Sequence, residues 1–162
     1  MISPATMAEA FNRNVEIIKL QTAGLSQQDS LVQLPFRGNC MNWIVGHILT
    51  NRYSVLKLLG SEQAAEAERA ARYTRESEPI TSDGAGVLPL EQLVELLECT
   101  QAQISGLLAE ITPEALASPL AFFGRRSMSV AEWLMFFYFH DTYHTGQAEI
   151  LRQACGRNDK II

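Results

Sequence analysis

His140 and His144 stand four residues apart in FFYFHDTYHTGQ, and His47 lies in a separate apolar segment, MNWIVGHILTNR; the chain has no other histidine. Four residues is just over one helical turn, so a helix there stacks both rings on one face, within reach of one ion. Two imidazoles hold a divalent metal weakly, and a third from a facing helix completes a three-nitrogen centre. Zinc is commonly held by histidine nitrogens, and three protein ligands with an open fourth position mark a catalytic rather than a structural site. Nickel suits the same donors. The spacing alone is a weak signal, because HxxxH occurs by chance and a lone inward histidine is more often a hydrogen-bonded core residue. The motif also lacks the glutamate of a zincin HExxH, which leaves a metalloprotease little support. On the residues alone, a metal centre and three unrelated histidines stand about level. The cost of burying three imidazoles without partners tilts the balance toward a site.

Four helical segments are available to position these rings. Ser3-Pro4 is an N-cap followed by proline, opening a helix to about Ala23 with Met7, Phe11, Val15 and Ile18 on one stripe. A loop with Pro35, Gly38 and Asn39 leads to a second helix over about Met41 to Leu59. Its inward face is Ile44, His47, Ile48, Asn51, Val55 and Leu58. The alanine-rich SEQAAEAERAARY reads as a short peripheral helix and PITSDGAG as a loop. A third helix runs from near Pro89 to Glu110, with Leu90, Leu93, Val94, Leu97, Ile104, Leu107 and Leu108 inward. Thr112-Pro113-Glu114 caps a short turn, and SPLAFFGRR reads as a loop. The fourth helix opens on the capping box Ser129 to Glu132 and stops at Gly156, with His140, Asp141 and His144 on its inward stripe. Its run WLMFFYF is apolar on every face, which calls for cover from a central position in the bundle or from a dimer interface. No alternating strand pattern is visible. The expectation is one all-α domain, a four-helix bundle over residues 1–162.

The bulk properties exclude several classes. Apolar residues make up 47% and charged residues 19%, an ordinary globular composition. A net charge of −5, with Arg125-Arg126 the only adjacent basic pair, argues against nucleic-acid binding. Cys40, Cys99 and Cys155 form no CxxC pair, and an odd count suits a reduced, cytoplasmic protein. The N-terminus has neither the basic nor the apolar region of a signal peptide. The longest apolar run, from Trp133 to Phe139, falls far short of a membrane span.

Several other residues carry candidate roles beside plainer ones. Asn51, one turn beyond His47, is placed to hydrogen-bond a substrate or a metal-bound water, and Trp43 to line a pocket or fill the core. Asp141 either orients an imidazole on a facing helix or pairs with a surface arginine. Gly146 is expected to permit close helix packing, and Gln147 reads as a packing or solvated residue ahead of a partner to the ligands. Cys40 opens a helix whose dipole would lower its thiol pKa, but nothing supplies it with a base.

NWIVGHILTNRY, followed much later by HDTYHTGQAEILRQACG, resembles the DinB-like family of metalloenzymes. That family shows W-x-x-x-H opening its second helix and H-x-x-x-H-x-G-Q in its fourth, and the likeness spans almost the whole chain. The resemblance implies a four-helix bundle with a long crossover and one divalent metal on His47, His140 and His144, zinc or nickel being the first choices. It extends to thiol-dependent enzymes, including bacillithiol S-transferases and mycothiol-dependent maleylpyruvate isomerase. It therefore implies a metal-dependent transferase acting on a small-molecule substrate through a low-molecular-weight thiol; the homodimer is expected separately, from the all-round apolar run of the fourth helix. Hydrolysis by an activated water is the alternative, with Glu149 and Asp141 as weak candidate bases. A non-catalytic metal-binding stress or interaction protein is a third. Because the ligands must be neutral, metal affinity is expected to fall as the pH drops near ~6.5.

Overall fold

The computed structural model describes residues 2–122, 124 and 127–161, with the backbone alone for 63–65. Helix α1 spans Pro4–Thr22; the Ser3 hydroxyl accepts the Thr6 N–H at 3.1 Å, and Met7, Phe11, Val15 and Ile18 form the buried stripe. A four-residue helix, α2 (Gln27–Ser30), follows in a stretch that the sequence offers as loop. It is too short to carry a periodic pattern, and its signal is the Ser26–Asp29 capping box.

Helix α3 (Met41–Leu58) leads into a 3₁₀ segment over Glu62–Tyr73, then α4 (Leu90–Glu110), α5 (Pro113–Ala117) and α6 (Val130–Ala154). The 3₁₀ segment lies outside the ring of four long helices, with most of its described side chains exposed, yet its end is anchored in the core. It packs along α3, with Ala70 and Tyr73 fully buried at its end. The expected loop over 118–126 also needs correction, since Pro119–Leu120 (β1) pairs with Met128–Ser129 (β2) in a minimal antiparallel ladder. Two residues per strand are too few for an alternating signal. Phe123, Arg125 and Arg126 of that loop lie outside the described residues.

Helices α1 and α3 each pack against both α4 and α6, so the ring runs α1–α4–α3–α6. The links from α1 to α3 and from α4 to α6 therefore cross diagonals of the bundle. Helix α6 occupies a corner rather than the centre. Its inner stripe of Trp133, Leu134, Phe137, Asp141, Ala148 and Leu151 is buried as the sequence suggests. Its outer face is bare in the single chain, with Phe139 68% and Tyr143 58% exposed. Among the described residues no helix is long and apolar enough to cross a membrane.

One buried ion pair joins all four long helices. Arg52 of α3, with no solvent exposure, sets its Nε 3.1 Å from Asp141 Oδ2 of α6. Its Nη1 donates to Gln101 Oε1 of α4 at 2.7 Å and its Nη2 to the Phe11 carbonyl of α1 at 2.9 Å. Burial draws the guanidinium pKa down and the Asp141 carboxylate opposes that shift. A charge removed from water costs several kcal/mol, so it persists only with this degree of compensation.

Candidate metal centre

The three histidines meet where α3 faces α6. One nitrogen from each ring falls within a cluster no wider than 4.8 Å. His47 Nε2 and His140 Nε2 are 3.2 Å apart. Two nitrogens on one tetrahedral zinc would be roughly 3.3–3.4 Å apart, given bonds of about 2.0–2.1 Å.

The backs of the rings decide which nitrogens are free to ligate. His47 Nδ1 lies 2.8 Å from the Tyr73 carbonyl oxygen. A carbonyl only accepts, so Nδ1 carries the proton and Nε2 presents its lone pair to the cluster. His144 is held in the same way, with its Nδ1 2.8 Å from Gln147 Oε1, one turn along α6. His140 Nδ1 is buried and has no hydrogen-bond partner among the described residues, and it faces Asp141 Oδ1, also unpartnered, at 3.8 Å. An ion on His140 Nε2 would leave the ring proton on Nδ1, turned toward that carboxylate. The donor set and this orphaned pair both fit a divalent metal, held by the Nε2 side of each ring.

Burial favours the neutral, ligating forms of His47 and His144. Burial is the main cause lowering the pKa of His47, aided by His140 and opposed by the Tyr73 carbonyl. His144 is pushed down to about 4, again chiefly by burial, then by His140, with Gln147 opposing. In the metal-free protein, the stability gained from these neutral rings is complete above the unfolded value of about 6.5. It is lost as the pH falls from there toward about 4, where the folded His144 takes its proton. Acid competition with a metal at these two rings is thus displaced below the ~6.5 of an ordinary imidazole.

A cleft of about 670 Å³ opens over the cluster, lined by all three histidines and by Trp43, Arg37, Arg75 and Tyr143 among others. Trp43 stacks on His47, with centroids 4.5 Å apart and planes 18° apart, and its Nε1 donates to Ser77 Oγ. Asn51 does not line the cleft; its amide donates to the carbonyl of His47, four residues back on the same helix. Asp141 pairs with an arginine, but a buried one. Gly146 has nothing within 4 Å of an added Cβ, so it makes no close helix contact, and Gln147 is the partner to a ring rather than a packing residue. Cys40 is buried, donates its thiol to the Ile80 carbonyl and has its pKa raised by burial, contrary to the effect expected of the helix dipole.

Two residues with no signal in a sequence pattern build the His47 side. Tyr73 supplies its main-chain oxygen, which any residue type possesses, at the end of an alanine-rich segment. Gly46 is what lets the Tyr73 ring lie against α3, since a Cβ there would collide with Cγ and Cδ1 of that ring. The Tyr73 hydroxyl then donates to Asn42 Oδ1 at 3.0 Å and accepts the Leu88 N–H at 2.7 Å, which fixes the ring.

Among known proteins, the family described as the DinB superfamily matches residues 22–148. A solved structure, described as the conserved protein of locus from Enterococcus faecalis, is similar over 95% of this chain and 97% of its own, with a TM-score of 0.72 and 16% identity. That likeness concerns the fold alone. No curated protein matches the chain.

Proposed function

Because the chain belongs to the DinB superfamily, we propose that its three histidines bind one divalent metal, zinc or nickel, in an S-transferase that uses a low-molecular-weight thiol. The observation that supports this most is the cluster of one nitrogen from each of the three rings, within 4.8 Å of one another at the base of a cleft large enough for a small molecule. A divalent ion on three neutral imidazoles supplies a Lewis acid that favours the thiolate form of a thiol. The chain's own residues do the rest. Tyr73 and Gln147 hold two rings in the ligating tautomer, Trp43 fixes the plane of His47, and the apolar flank of the cleft offers a surface for the body of the substrate. In the transfer, the thiol proton goes to solvent and the sulfur bonds to the electrophilic carbon as its leaving group departs.

Hydrolysis has less support, because it needs a general base near the water. Asp141 is committed to Arg52, and Glu149 does not line the cleft. The reading includes a cytoplasmic setting, and a homodimer that covers the outer face of α6.

Protein purified without a histidine tag and loaded with zinc or nickel should conjugate 1-chloro-2,4-dinitrobenzene with glutathione, bacillithiol or mycothiol faster than the metal and thiol do alone. The rate should fall to that background in His144→Ala. No acceleration with any of the three thiols would remove the transferase reading.

A further inference from the structure

The charge of the cleft is opposite to that of the protein. The chain carries 18 acidic and 13 basic residues, yet the cleft is lined by Arg37 and Arg75 and by no aspartate or glutamate among the described residues. Arg37 has no ion-pair partner among the described residues. Arg75 has only its neighbour Glu76, at 3.8 Å with both side chains almost fully exposed, a contact weak enough to be displaced by a ligand. The nearest buried carboxylate, Asp141, is already countered by Arg52. Beside the two arginines, Leu34, Phe36, Trp43 and Ile150 give the same cleft an apolar wall, with Phe36 61% exposed.

We propose that Arg37 and Arg75 form an anion subsite, so that the small molecule entering this cleft carries a carboxylate on an apolar body. Guanidinium groups bind carboxylates through charge-assisted, often bidentate hydrogen bonds, and two such groups lining one cleft, with no carboxylate among its described lining residues, favour an anion over a cation there. The apolar wall takes the rest of the molecule and orients it toward the histidines. The inference rests on this cleft being the substrate site, but on neither the metal nor the thiol.

Two probes with one apolar body and opposite charge test it: 3-phenylpropionate and 3-phenylpropylamine, titrated by calorimetry into both metal-loaded and chelator-stripped protein. The carboxylate is expected to bind at least about tenfold more tightly than the amine in both forms. The double variant Arg37→Gln/Arg75→Gln should shrink that preference to within about twofold, with an unchanged circular dichroism spectrum because both side chains are exposed. Equal affinity for the two probes, no saturable binding of either, or a preference that survives the double variant would overturn it. So would a preference seen only in the metal-loaded form, which would place the carboxylate on the ion. Loss of the metal reading would show separately, as absence of metal from the protein, and would leave the stripped-protein titrations readable.

Discussion

Replacing Arg52 with methionine is expected to lower the unfolding free energy of the metal-free protein by about 3–5 kcal/mol, the usual cost of stranding a buried charge. The variant leaves Asp141, 1% exposed, without its cation and Gln101 Oε1 without its donor, and removes the guanidinium bond to the Phe11 carbonyl. Because Arg52 touches α1, α4 and α6 from α3, the loss is spread across the whole bundle rather than confined to one helix end. The double variant Arg52→Met/Asp141→Leu should recover most of the loss, since it removes both charges and restores apolar volume. Urea unfolding of the wild type and both variants measures this directly. A single variant costing under about 1 kcal/mol would show that the pair does not bind the helices together.

Gly46→Ala should combine a fold defect with a metal defect. Alanine is ordinarily worth up to about 1 kcal/mol over glycine inside a helix. Here that gain is outweighed, because the new methyl would occupy space held by the Tyr73 ring. The ring cannot retreat without losing its bonds to Asn42 and Leu88. Overpacking of this kind costs about 1–3 kcal/mol, occasionally more. Displacing Tyr73 also moves the carbonyl that holds His47 in its ligating tautomer, and loss of such a partner weakens metal binding by about 10–100-fold. Gly146→Ala is the control, with open space around the added methyl and a neutral or slightly favourable effect expected. Urea unfolding and competition with a chromogenic chelator separate the two effects. A Gly46→Ala protein as stable and as tight for metal as the wild type would contradict the account of Tyr73.

The histidines were legible because helical geometry acts on sequence spacing. His140 and His144 share a face by the four-residue rule, and His47 falls on the buried stripe of a helix whose apolar positions recur at three and four. Proline marks the starts of α1, α4 and α5 to within a residue or so, and a capping box that of α6, whereas the Ser26–Asp29 box of α2 has too short a helix behind it to stand out. What escaped lies in contacts that periodicity does not encode. Tyr73 acts through its backbone, Gly46 acts by lacking a side chain, and Arg52 is a charged residue whose burial depends on three other helices. Asn51 shows the limit from the other side. It is on the same stripe as His47, but its amide turns back to the helix's own carbonyl, a local competition that spacing cannot resolve. The run on α6 that is apolar all round calls for cover from a central position or from a dimer interface, and its corner place in the bundle answers only the first. The chain by itself leaves that face to solvent.

If His47, His140 and His144 hold one metal, untagged protein purified without chelator should carry close to one divalent ion per chain by mass spectrometry. His47→Ala and His144→Ala, prepared alongside, should carry almost none, with helical content retained in both. No metal in the wild type, and no uptake when zinc or nickel is added, would contradict that reading and leave three imidazoles packed together for another reason.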